Sequence, residues 1–121
     1  MPQRSTEKKT LLASTQLTAT PVSGTGISVS AWLEGVILIT VTAKGGTSPA
    51  VNLDVETSED GTNWFKLQDV TQISDPTIGT TVPPAVQVSN FGKRIRLNNP
   101  DGMSGSSTPT MTLSADIVVK N

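Results

Sequence analysis

Val55-Glu56-Thr57-Ser58-Glu59-Asp60-Gly61-Thr62-Asn63-Trp64-Phe65-Lys66-Leu67 reads as a strand, a tight turn and a returning strand. Ahead of it, Val51, Leu53 and Val55 alternate with Asn52, Asp54 and Glu56, so one face is apolar and the other wet. Residues 58–63 hold acids, small polar residues and Gly61, which is free to take positive φ. Trp64 is expected as a large buried anchor on the return strand. No catalytic group is recognisable in the stretch.

Working outward, the same period-2 pattern recurs. Ile37, Ile39 and Val41 share one face of an apolar strand over residues 36–43, with Leu38 on the other. Ile27, Val29 and Ala31 alternate with Ser28 and Ser30 toward Trp32. Val86 and Val88 open another strand, and Arg94-Ile95-Arg96-Leu97 alternates cleanly. Met111, Leu113, Ala115, Ile117 and Val119 form the longest alternation in the chain. Residues 44–49 and 98–107 read as polar loops. Residues 69–84 read as a long connection interrupted by Asp75-Pro76 and Pro83-Pro84, with Val70 and Ile73 as candidates for a short strand. Residues 47–55 resemble residues 107–115 in character, which suggests two similar hairpins facing each other. The expected fold is all-β: a single antiparallel β-sandwich, jelly-roll or Ig-like, with an extended N-terminal arm. An open-ended barrel is the competing architecture. Residues 1–10, polar and without period, are expected as a flexible arm, and residues 11–121 as the sandwich domain.

Composition excludes much chemistry. The 121 residues contain no His, Cys or Tyr, and only Trp32, Trp64, Phe65 and Phe91 are aromatic. A Ser-His-Asp triad, a Cys nucleophile and ordinary zinc or copper sites are therefore ruled out, and no disulfide can form. A formal net charge of −1 gives no case for nucleic-acid binding. The longest apolar run, Val36-Ile37-Leu38-Ile39, is far too short for a membrane helix. The N-terminal residues lack an apolar signal core, so no secretory signal is expected.

Four groups of residues invite a functional reading. Asp54, Glu56, Glu59 and Asp60 cluster around one hairpin, in the manner of a glycosidase acid pair or a calcium site. Their places on an outward strand face and in a turn instead predict solvated surface. Lys93, Arg94 and Arg96 form a basic run, with Arg94 and Arg96 on one face, suited to local salt bridges or to an acidic patch on a partner. Trp32 either caps the core or sits at an interface. Gly24 and Gly26 open a strand rather than a helix, and they read as turn glycines rather than a phosphate loop. No catalytic, cofactor-binding or metal-binding residue is assigned. The residues expected to meet a partner are Arg4, Lys8 and Lys9 of the arm, Trp32, Arg94 and Arg96.

The segment Glu56-Thr57-Ser58-Glu59-Asp60-Gly61-Thr62-Asn63-Trp64-Phe65 resembles a hairpin of small β-sandwich virion proteins of tailed bacteriophages. The order of the other motifs is similar too: Gly46-Thr47-Ser48-Pro49 before the hairpin, Phe91-Gly92-Lys93-Arg94-Ile95-Arg96 after it, then a second Ser/Thr-Pro loop before the last strand. This resemblance implies a non-enzymatic structural protein of the virion, first a capsid decoration (cement) protein, second a neck or tail protein. It further implies the major capsid protein as partner, copies of the chain itself in a possible homotrimer, and no nucleic acid, membrane or cofactor. The implied location is the capsid exterior, after synthesis in the host cytoplasm. The Ser-x-Asp-Gly-x-x-Trp hairpin is also similar to part of discoidin-like carbohydrate-binding modules, which is the competing class.

Overall fold

The computed structural model describes residues 5–79 and 85–121. In chain order its strands are β1 (Thr6–Leu17), β2 (Val22–Ser23), β3 (Ile27–Ser28), β4 (Glu34–Val51), β5 (Asp54–Ser58), β6 (Phe65–Asp69), β7 (Ile73–Ser74), β8 (Val86–Ser89), β9 (Arg94–Asn99) and β10 (Met103–Lys120). The chain is an all-β sandwich of two antiparallel sheets, with no helix among the described residues. The first sheet runs β1-β10-β4, with β7 and β8 both paired to β4 on its far side. The second runs β9-β5-β6, with β2 and β3 both paired to β9.

The alternating residues do what their period requires. Met111, Leu113, Ala115, Ile117 and Val119 of β10, with Ile37, Ile39 and Val41 of β4, are buried. They meet Val55 of β5 and Ile95 and Leu97 of β9 in one core. Each large aliphatic side chain so buried contributes about 1.5–3 kcal/mol. Val70 and Ile73 are buried as well, and Ile73 pairs with Val51, so the short strand foreseen there exists as β7. Pro83-Pro84 lies outside the described residues.

One antiparallel ribbon builds both sheets. β10 pairs with β4 from Lys120↔Glu34 to Met103↔Val51. The same two chain segments then cross together into the second sheet, where β5 pairs with β9 from Asp54↔Asn98 to Ser58↔Arg94. The bend is built into the sequence. Residues 44–49 and 98–107 are expected as separate loops; instead residues 44–51 and 103–111 pair with each other inside the ribbon, with Thr47 facing Ser106 and Gly45 facing Thr110. Register shifts and positive φ at Gly46, Ser48, Gly105, Ser107 and Thr108 absorb the curvature. The two similar segments are therefore not hairpins on facing sheets; they are the two sides of one irregular ribbon.

The expected boundary near residue 10 also moves. β1 begins at Thr6 and pairs with β10 from Thr6↔Lys120 onward, so residues 6–10 are the first half of an edge strand. Arg4 lies outside the described residues. Ser5 and Asn121 exchange hydrogen bonds, Ser5 N–H donating to Asn121 Oδ1 at 3.3 Å and Asn121 N–H to Ser5 O at 3.4 Å.

Candidate functional site

The Ser58–Trp64 turn holds itself together. The backbone N–H groups of Asn63 and Thr62 donate to Asp60 Oδ1 at 2.8 Å each, and the Ser58 hydroxyl donates to the same oxygen at 3.1 Å. The Asn63 side-chain amide donates to Asp60 Oδ2 at 2.8 Å. Gly61 N–H donates to Ser58 Oγ at 2.9 Å, and Gly61 takes φ +78°. These donors, the Asn63 backbone first and then Thr62, hold the Asp60 carboxyl well below its ordinary pKa. Ser58, Asp60, Gly61 and Asn63 are thus explained by turn chemistry. An Asp60 carboxylate so occupied is a poor calcium ligand, and no group of three acids is placed to hold a metal among the described residues.

The second motif is stitched to the first. Thr57 Oγ1 donates to Arg94 O at 2.9 Å and accepts from Gly92 N–H at 2.6 Å. Gly92 approaches so closely that a β-carbon there would stand 3.1 Å from Ser58 O. The two short motifs of the sequence are one corner of the second sheet.

Arg94, Arg96 and Asn98 point outward from β9, opposite the buried Ile95, Leu97 and Asn99, as the alternation requires. The Arg96 guanidinium puts Nε and Nη2 each at 2.7 Å from Glu56 Oε1, across the strand pair Glu56↔Arg96. Asn98 Nδ2 donates to Glu56 Oε2 at 3.3 Å, and Ser23 Oγ donates to Asn98 Oδ1 at 2.9 Å. Arg94 Nη2 donates to Gly26 O at 3.0 Å. Trp64 does not reach the core. Its half-buried indole lies on this outer face, with the Arg96 guanidinium 4.4 Å from the ring centroid and the ring edge directly over Gly26.

The other expected partner-binding residues divide. Lys8 is exposed, 3.7 Å from Asp116 Oδ2, and Lys9 lies 3.6 Å from Glu7 Oε2, both on the edge strand β1. Trp32 packs its half-buried ring against the core. Arg94 and Arg96 are engaged within the chain, so an acidic partner would have to displace Gly26 O and Glu56. Two acids do face each other across the strands: Asp54 on β5 is opposite Asp69 on β6, with Lys66 Nζ 2.7 Å from Asp69 Oδ1. Burial, against the pull of Lys66 and helped by Asp69, raises the Asp54 pKa. The hydrogen bond from Lys66 lowers that of Asp69 and raises that of Lys66 itself.

One concave surface stands out that the sequence does not announce. A groove of about 430 Å³ lies between the hairpin turn and the β8–β9 connection, lined by Glu59, Asp60, Asn63, Phe65, Asn90 and Phe91 among others. Phe65 is 68% exposed, whereas Phe91 is partly buried against the core. The groove lies at the end of the sandwich where β1 begins and β10 finishes. Ser89 pairs with Glu34, and residues 90–92 then lead straight to Arg94. Leu33, 72% exposed, donates its backbone N–H to Lys120 O at that same end.

Comparison with protein-family descriptions gives no match, and comparison with curated proteins gives none. Among solved structures, the chain is similar to the SPBc2 prophage-derived protein YomS, with a TM-score of 0.61 and 12% sequence identity over 100% of this chain and 97% of that one. What the two chains share, at that identity, is the fold.

Proposed function

We propose that this chain is a non-enzymatic structural protein of a phage virion, and that it serves as a capsid decoration protein. The observation that carries the reading is the whole-length fold likeness to a prophage-derived protein. The motif chemistry supports it, since the residues of the resemblance serve the turn and its corner rather than a reaction centre. Copies bound symmetrically to a shell stabilise the assembled lattice by mass action. A trimer at local three-fold positions fits such a shell.

The docking surface in this reading is the end of the sandwich that carries Leu33 and Phe65. Edge strand β1 is less suited to receive a further strand. Register shifts between Thr10 and Leu12 and between Leu12 and Thr15 break its edge, and Lys8 and Lys9 place charge on it.

Quantitative mass spectrometry of purified virions tests the proposal. A ratio to the major capsid protein near one to one, or one third to one, supports decoration. A few copies per particle moves the protein to the neck or tail, and absence from the particle refutes both. Deleting residues 1–4 should weaken attachment while leaving the sandwich folded. Deletion through Thr10 is no clean test, because it strips the pairing of Thr6 to Thr10 with Lys120 to Asp116.

A further inference from the structure

We infer that the groove between Phe65 and Phe91 is a docking site for an arginine-bearing segment of a partner protein. The inference stands on the groove alone and does not require the virion reading.

Three features select this occupant. The lining holds two carboxylates, Glu59 and Asp60, and no lysine or arginine, so its charge complements a cation. Asp60 is consumed by the turn, but Glu59 makes no hydrogen bond to the chain among the described residues and stands exposed. Phe65, 68% exposed, lines the same groove, so a planar guanidinium bound there has an aromatic ring to cover and a carboxylate to meet. An ammonium group is drawn to the same ring and carboxylate, but it lacks the planar fork that stacks and pairs bidentately at once.

The chain itself shows this chemistry on the adjoining face. There Arg96 lies over Trp64 and binds Glu56, one aromatic ring and one carboxylate holding one guanidinium. The groove presents the same two kinds of group, Phe65 and Glu59, to solvent. The amides of Asn63 and Asn90 stand at its rim, and Asn90 is held at φ +58° on the short connection to Phe91.

The test is a titration of the full chain, isotopically labelled, with the peptide acetyl-Gly-Arg-Gly-amide, followed by amide chemical shifts. Shifts should concentrate at Glu59, Asn63, Phe65, Asn90, Phe91 and Gly92. The same peptide with citrulline in place of arginine should bind about tenfold more weakly, because it keeps the planar shape and loses the charge. Glu59→Gln and Phe65→Ala should each weaken the arginine peptide by a similar factor, and both are exposed positions whose spectra should otherwise match the parent. Equal binding of the citrulline peptide, shifts elsewhere on the sandwich, or no shifts at all would overturn the inference. So would a neutral oligosaccharide panel that moves the same amides while the arginine peptide does not, which would make the groove a sugar site.

Discussion

Replacing Glu56 with Gln should cost this small domain about 2 kcal/mol. Exposed ion pairs contribute 0–1 kcal/mol, whereas removing one partner of a fully buried pair costs about 3–5 kcal/mol. The Glu56 and Arg96 side chains are 14% and 19% exposed, which places the pair between those limits. The gross attraction of two charges about 4 Å apart is near 4 kcal/mol at an effective dielectric constant of about 20, and desolvation offsets roughly half. Gln keeps the shape but has one acceptor oxygen; turned toward Asn98, it sets its NH2 against the Arg96 donors, so the loss combines the charge with those two hydrogen bonds. Arg96 would be left over Trp64 without its counter-ion. Urea unfolding of the parent, Glu56→Gln, Arg96→Met and the double variant gives the coupling energy, expected at about 1–1.5 kcal/mol, and a midpoint shift of about 1 M for Glu56→Gln. The cost should persist in about 1 M salt, where exposed pairs are screened. A loss below about 0.5 kcal/mol, or one that disappears in salt, would refute the reasoning and make the pair ordinary surface.

Three further outcomes follow from the same geometry. The Asn99 side chain is 2% exposed and its amide finds no hydrogen-bond partner among the described residues, so Asn99→Leu should raise stability by about 1–3 kcal/mol in urea unfolding. Because the Asp60 pKa is held below its ordinary 3.8, the stabilisation it gives is complete above about pH 4 and is lost as pH falls through the lower folded value; Asp60→Asn should flatten the acid limb of a stability–pH curve measured by circular dichroism. Gly92→Ala should destabilise by about 1–3 kcal/mol in thermal unfolding, because Glu59 can swing away from the new methyl group but the Ser58 carbonyl cannot.

Much of the sandwich was legible because burial writes a period into the chain. Met111 to Val119 alternates since β10 is covered by β1 and β4 and faces the core with every second residue. Residues 6–10 carry no such record, because neither face of the edge strand is covered there, and a polar strand then looks like a tail. Residues 44–48 and 104–108 were unreadable for a related reason: that part of the ribbon is largely exposed, and its bend demands turn residues inside strands. Trp64 misled by size, since a large ring can flatten on a sheet face as well as fill a core. The groove leaves no trace in sequence, because Phe65 and Phe91 meet only through the fold. The face shared by Arg94 and Arg96 was readable; that Glu56 and Gly26 O take up their charge and donors was not.

The meeting of Ser5 and Asn121 determines how the molecule bears load. β1 and β10 run antiparallel from that point, with Thr6 opposite Lys120. A pull that separates the two ends therefore peels β1 from β10 like a zipper, breaking ladder hydrogen bonds a few at a time. A pull on Ser5 against Leu17 would load the whole β1–β10 ladder in shear. Tension delivered through the ends meets the weaker geometry, so a tether at Ser5 would release β1 at low force while the ribbon of β4, β5, β9 and β10 stays paired.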